Sequence, residues 1–145
     1  MKIIIETPPD GAEDEIIIRC RNLDDEMIKL IFNIKMQRES LIAYKNEQLY
    51  RINPLDIYYF EPIDNHTYLY CKNDVYEFKK KLYQIEEIFS NGDFLRISKS
   101  VILNLTKIDS IVPAFNGRFE AILDNGEKTI ISRQYVPMLK KKLRI

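Results

Sequence analysis

Short segments rich in Ile, Leu, Val and Tyr follow one another at regular spacing from residue 41 onward, separated by turn-forming residues. β-Branched and aromatic residues favour strands, whereas Asn, Asp, Pro and Gly interrupt them. The predicted strands cover residues 41–44, 48–52, 57–61, 66–72, 75–79, 108–115, 118–123 and 127–132. This spacing is typical of an antiparallel sandwich or barrel, so the fold is predicted to be mainly β, and α+β overall.

Turn and helix signals complete this part of the chain. Asn116-Gly117 between two apolar runs is a strong hairpin signal, and residues 124–126 (Asp-Asn-Gly) mark the next turn. Residues 82–89 have helical spacing and precede Gly92, which suits a helix stop. Residues 135–143 are expected to close the chain as a basic helical tail.

The first 40 residues follow a different pattern. Ile-rich residues 2–6 and 16–19 flank a Pro- and Gly-containing stretch at residues 8–11, which predicts two strands around a turn. A helix capped by Asn22 is expected next. Its apolar side would carry Leu23, Met27, Leu30, Ile31 and Ile34.

The helical pattern breaks over residues 35–40, which suggests two units. We therefore predict a strand-strand-helix appendage at residues 1–40 and a domain at residues 41–145. The appendage is a candidate for self-association or regulation. It is too short for a phosphoacceptor domain, so control by a partner or by expression level is expected.

Charge and cysteine content exclude several classes of protein. The chain has 22 basic and 22 acidic residues, so it lacks the strong positive charge of many nucleic-acid binders. Cys20 and Cys71 have no CxxC spacing and follow no secretory signal, which favours reduced thiols in the cytoplasm. The apolar runs fall far short of the roughly 20 residues that cross a bilayer.

An enzymatic function has little support in the sequence. His66 is the single histidine, and the chain has no HExxH, GxxxxGK, GxGxxG or GxSxG motif. Ser98 and Lys99 could form a dyad, but they are neighbours in an expected loop, where the lysine would stay hydrated. No catalytic residue, metal site or cofactor is therefore expected.

The most informative segment is FLRISKSVILN, residues 94–104. Its polar and basic triplet, Ser98, Lys99 and Ser100, interrupts an apolar run between two strands. Two hydroxyls and an ammonium can meet phosphate oxygens or base edges. The triplet is thus either a loop that faces a ligand or a solvated loop.

Three segments together carry a resemblance to a known family: IYYFE at residues 57–61, FLRISKSVILN at residues 94–104, and ISRQY at residues 131–135. In order and spacing they resemble the LytTR DNA-binding domain, over roughly residues 41–143. The resemblance implies a bacterial regulator built from antiparallel sheets, in which loops enter successive major grooves. No helix-turn-helix is needed, and none is evident.

The resemblance also implies three DNA-contacting loops. They are Asp64, Asn65 and His66, then Ser98, Lys99 and Ser100, then Arg133 and Gln134. Arg133 is the strongest candidate, because a guanidinium can hold guanine O6 and N7 together. The alternatives are a surface arginine for Arg133 and a histidine bonded to a backbone carbonyl for His66. Arg96 also matches the family pattern, either as a DNA contact or as an ion-paired support of the second loop.

The second loop departs from the family pattern, which has His followed by Arg or Asn where this chain has Ser98 and Lys99. Lysine lacks the planar fork of arginine, so Lys99 is expected to contact phosphate more than base. Two lysine runs, residues 79–81 and 140–142, could meet phosphates at the margins of the site or form solvated helix faces.

Sequence-specific binding of double-stranded DNA is therefore the leading hypothesis. A homodimer on repeated half-sites is expected, because one small domain gathers few contacts. The resemblance implies that short members of the family can be inhibited by a membrane protein partner. The alternatives are a protein-protein interaction module without DNA contact, and single-stranded RNA binding through tyrosines such as Tyr68 and Tyr70.

Overall fold

The computed structural model describes residues 1–38 and 41–145, so the unit boundary predicted at Ser40 lies outside the described residues. The described helices are α1 (Asp25–Arg38), α2 (Leu82–Ile88) and α3 (Val136–Leu143). The strands are β1 (Leu41–Lys45), β2 (Gln48–Ile52), β3 (Ile57–Ile63), β4 (His66–Cys71), β5 (Val75–Phe78), β6 (Phe94–Arg96), β7 (Ile102–Asn104), β8 (Ile108–Pro113), β9 (Phe119–Leu123) and β10 (Lys128–Ile131).

The strands form two antiparallel sheets. The larger has seven strands in the order β2-β1-β5-β4-β3-β7-β6, and the smaller has three in the order β10-β9-β8. The mainly β, α+β fold is confirmed. The predicted strands from residue 41 onward agree closely with those observed, except that β3 continues through Pro62 to Ile63 and shortens the expected turn. More than one antiparallel sheet was expected from the family resemblance, whereas the strand order within each sheet was not predicted.

Apolar residues are buried on both faces of the large sheet. On one face, Phe60 packs with Ile85 and Phe89 beneath the helices α1 and α2. On the other, Leu103 packs with Leu139 and with residues of the small sheet. Neighbouring residues such as Ile102 and Leu103 enter opposite clusters, because side chains alternate along a strand. The large sheet is therefore the middle layer.

Helix α1 packs against the first of these clusters. Asp24 caps it, accepting a 2.9 Å hydrogen bond from the Met27 backbone N–H, so the predicted cap at Asn22 is wrong. Phe32 meets Phe89 edge-on, with ring centroids 6.5 Å apart. Ion pairs from Lys29 to Asp93 and from Glu26 to Arg144 add to this contact.

The N-terminal arm, residues 1–23, differs most from expectation. The strands predicted at residues 2–6 and 16–19 are wrong: residues 1–24 form neither helix nor strand. A turn is present where it was predicted, because the Ala12 N–H donates to the Pro9 carbonyl at 3.1 Å, and Gly11 has a φ of 83°. The two Ile-rich segments do not pair with each other, and a strand without a partner lacks its ladder of hydrogen bonds.

Candidate nucleic-acid interface

The sheet topology brings the three predicted loops to one end of the molecule. Phe60 of β3 pairs with Ile102 of β7, so the β3–β4 turn and the β6–β7 loop leave the large sheet at the same end. The Ser132 N–H donates to the Ile97 carbonyl at 2.8 Å, which ties the turn after β10 to the β6–β7 loop. We call residues 64–66, 98–100 and 133–134 the loop end.

The first loop is a two-residue β-turn between β3 and β4. Asp64 and Asn65 have φ values of 49° and 66°, which asparagine and aspartate tolerate better than most residues. Ile63 and His66 are paired across this turn. The geometry is that of a tight hairpin, which fixes the turn rigidly at the end of the sheet.

His66 is exposed and is held by a carboxylate. Its Nδ1 lies 2.8 Å from Glu77 Oε1, and Lys79 Nζ lies 2.9 Å from the same oxygen. These two partners, Lys79 first, lower the pKa of Glu77 below its usual value. Lys81 Nζ also donates to the Asn65 carbonyl at 3.2 Å. The lysine run at residues 79–81 therefore flanks the first loop.

Arg96 shapes the second loop from behind. Its Nε donates to the Ser98 carbonyl at 3.2 Å, its Nη2 donates to the Lys99 carbonyl, and its Nη1 lies 2.5 Å from Glu86 Oε1. The Ser100 N–H donates to Ser98 Oγ at 3.2 Å. Lys99 and Ser100 remain exposed. The guanidinium of Arg96 is thus engaged with the loop backbone and α2, as a support would be.

The third loop presents Arg133 and Gln134 in an exposed 3-10 turn just before α3. A Cβ on Gly117 would lie 3.0 Å from Arg133 Cδ and 3.1 Å from its Cγ. Gly117, with a φ of 75°, therefore lets the arginine stem lie close to the β8–β9 hairpin. Among the residues described, no ion pair or hydrogen bond engages the Arg133 guanidinium.

The β8–β9 hairpin tip is a neighbour of the third loop that sequence reasoning treated as a simple turn. Ile131 pairs with Phe119, so the tip lies beside Arg133. Phe115 is 79% exposed there, and Arg118 Nε donates to its carbonyl at 3.0 Å. The sequence signal that could have identified this tip as part of the site is Phe115, a large aromatic residue directly before Asn116-Gly117.

Lys142, the last residue of the C-terminal lysine run, points away from the loop end. Lys142 donates to the Gly92 carbonyl at 2.8 Å, and burial lowers its pKa below the usual value. Gly92 precedes β6, at the opposite end from the β6–β7 loop. Lys140 Nζ lies 5.6 Å from the Phe119 ring centroid. At least Lys142 of this run is therefore used within the fold rather than at the loop end.

Other kinds of site find little support. Within residues 1–38 and 41–145, no group of three His, Cys, Asp or Glu side chains is arranged to hold a metal ion. In the same ranges, no helix combines the length and apolar character needed to span a membrane. Cys20 and Cys71 are free, and burial raises the pKa of the Cys71 thiol to about 11. A thiol with so high a pKa is a poor nucleophile.

The model of the LytTr DNA-binding domain family matches residues 47–144, a span that contains all three loops. The chain belongs to the LytTR family. The resemblance seen in the sequence is therefore confirmed, and the chain carries a DNA-binding domain.

Relatives agree with this assignment. The chain is 33% identical over 105 residues to the sensory transduction protein LytT of Enterococcus faecalis, covering 72% of this chain but 43% of that protein. The chain thus spans less than half of that relative. It is 26% identical, over 100% of its own length and 99% of the other, to a Staphylococcus aureus protein named as an HTH-type transcriptional regulator.

A solved structure supports the fold. The LytTr DNA-binding domain of a Bacillus cereus protein matches with a TM-score of 0.68 at 23% identity, covering 74% of this chain and 98% of that one. In the described part of this chain, strands separate each α-helix from the next, so no two α-helices form a helix-turn-helix. These two relatives are named as a sensory transduction protein and as a transcriptional regulator.

Proposed function

We propose that this protein regulates transcription by binding double-stranded DNA sequence-specifically, with the loop end inserted into successive major grooves. The observation that supports this most is the convergence of three loops at one end of a rigid sheet. The β3–β4 turn and the β6–β7 loop leave paired strands together, and the Ser132–Ile97 hydrogen bond joins the third loop to the second. Loops on rigid strands can be held in register with the grooves without ordering on binding.

The side chains suggest different roles. Arg133, exposed and supported along its stem by Gly117, suits a two-bond contact with guanine. Gln134 is exposed beside it and can bond adenine in the same way. Lys99 is exposed on a loop whose backbone is already bonded, which suits a phosphate contact.

The first loop would contribute mixed contacts. His66 can offer Nε2 while Nδ1 stays with Glu77, and Asn65 lies at the tip of the turn. Ser98 and Ser100 add hydroxyls, and Lys79 and Lys81 add positive charge beside this loop. We assign Arg96 the role of a positioning residue, because its three contacts are with Glu86 and two loop carbonyls.

We further propose that two copies act together on repeated half-sites, because a single small domain rarely gathers enough contacts for selectivity in a genome. Inhibition by a membrane protein, and the division at residue 40, stay predictions. Single-stranded RNA binding has less support, since Tyr70 stacks on Tyr59 with centroids 4.4 Å apart. That face is already occupied by protein.

Substitutions at the loop end test the proposal on a duplex selected from random sequences. Arg133→Ala should cost about 1 to 3 kcal/mol against the preferred base and relax selectivity there. Lys99→Ala should weaken all duplexes by a similar factor. Lys72→Ala and Lys128→Ala are charge-matched controls, because they are exposed at the other end of their sheets. Equal losses for controls and loop variants would refute the proposed interface.

A further inference from the structure

The N-terminal arm exposes two apolar segments with no partner in the described structure. We call residues 2–6 (KIIIE) leg 1 and residues 15–19 (EIIIR) leg 2. Ile3 is 82% exposed, Ile5 93% and Ile17 64%. The legs line an open cleft of about 820 Å³. Isoleucine strongly favours strands, so these segments are poised to pair with something outside the monomer.

Charge explains why the legs do not pair with each other. In a hairpin that continues from this turn without a bulge, the Ala12–Pro9 hydrogen bond determines which residues of the two legs face each other. In that register Lys2 would face Arg19, and Glu6 would face Glu15. Like charges directly opposite each other destabilise a strand pair. Pairing within one arm is thus disfavoured at both ends of the apolar run.

The same charges are matched when a leg pairs with its own copy. In an antiparallel pair of two leg 1 segments centred on Ile4, each Lys2 faces Glu6 of the second copy, and isoleucines face isoleucines. In an antiparallel pair of two leg 2 segments centred on Ile17, each Glu15 faces Arg19 of the second copy. Parallel pairing of either leg with itself would instead align like charges. The charges of each leg therefore match those of a second copy in antiparallel pairing but not in parallel pairing.

The two pairs can share a single two-fold axis. Ile4 and Ile17 are the centres of the two self-complementary pairs, and they are also the residues that face each other in the register set by the turn. If the two-fold axis passes through Ile4 and Ile17, the two-stranded leg 1 pair stacks on the two-stranded leg 2 pair. Sheets stack roughly 10 Å apart, which leaves room for side chains between the legs. The isoleucines facing the cleft would then fill it.

We propose that two copies of this chain dimerise through their arms, leg 1 on leg 1 and leg 2 on leg 2. This rests on the pairing of two copies in the proposed function and gives that pairing an interface. Such an interface is isologous, as expected of a two-fold dimer. The arm and the loop end share no residues, so this interface uses none of the side chains proposed to contact DNA.

Charge exchange tests the interface in the 145-residue chain without DNA. Lys2→Glu places two acidic residues opposite each other at both ends of the leg 1 pair, and Glu6→Lys places two basic ones there. Each variant alone should dimerise roughly tenfold or more weakly than the wild type in sedimentation equilibrium. An equimolar mixture of the two should recover association, because the charges are matched again in the heterodimer. Glu15→Lys and Arg19→Glu provide the same test for leg 2.

The controls separate this proposal from DNA binding. At a concentration low enough for the wild type to be monomeric, circular dichroism melting should be unchanged in every arm variant, because the arm residues are exposed. The arm variants should still bind a duplex that carries one half-site. If a folded, monomeric arm variant failed to bind this duplex, the result would count against the proposed DNA interface. A wild-type chain that stays monomeric, or single variants that associate like the wild type, would overturn the arm proposal. Failure of the mixture to recover association would overturn it as well.

Discussion

Gly92→Ala probes the contact between α1 and the rest of the fold. A Cβ at residue 92 would lie 2.5 Å from Phe32 Cε1 and 2.9 Å from its Cδ1. Both distances are well inside van der Waals contact, and the Phe32 ring is backed by Phe89. Because the φ of Gly92 lies outside the left-handed region, alanine brings no backbone strain there. The expected loss in the free energy of unfolding is about 1 to 3 kcal/mol, from overpacking.

A double-mutant cycle identifies the source of this loss. With Phe32→Ala in place, the added methyl group meets no ring, and Gly92→Ala should be neutral or slightly stabilising. The interaction energy from urea unfolding of the four proteins should therefore reach about 1 kcal/mol or more. An equal cost in both backgrounds, or no cost in the wild type, would refute this account of how α1 docks.

Three further predictions concern residues near the core and the loops. Asn104→Ala should lower the free energy of unfolding by about 2 kcal/mol in urea titrations, because the buried amide bonds three neighbouring groups that would lose their partner. The hydrogen bond to Asp124 raises the pKa of Tyr58 to about 12, so the unfolded chain ionises first and stability should fall between about pH 10 and 12. Tyr58→Phe should reduce that fall, measured by unfolding at several pH values, and an unchanged profile would contradict it. Arg96→Lys should weaken duplex binding and speed amide exchange at Lys99, because one ammonium cannot replace three directed N–H groups; unchanged exchange would rule out a positioning role.

The strands from residue 41 onward could be predicted because local signals agree with the fold there. Asn116-Gly117 and residues 124–126 each lie in a turn between paired strands, as expected. The register of β3 with β7 could not be read in the same way, since these strands are far apart in the chain. Pairing of that kind depends on packing on both faces of the sheet rather than on turn residues.

The arm was mispredicted for a physical reason. Isoleucine runs flanking a turn indicate strands, and that rule ignores whether the flanking charges would match across the hairpin. The cap at Asn22 failed because Asp24, two residues later, offers an equally good acceptor. The sequence does not decide between DNA contact and support for Arg96, because its partner Glu86 lies in α2, a helix that was predicted but whose packing against the second loop no sequence pattern revealed.

The central claim is that the loop end reads duplex DNA. Fluorescence anisotropy should compare a selected duplex with its single strand and the matching RNA at two salt concentrations. The duplex should bind most tightly, its binding should weaken steeply with salt, and Lys99→Ala should lower the salt slope by about 1. Equal affinity for the three ligands, or binding that does not change with salt, would contradict this claim.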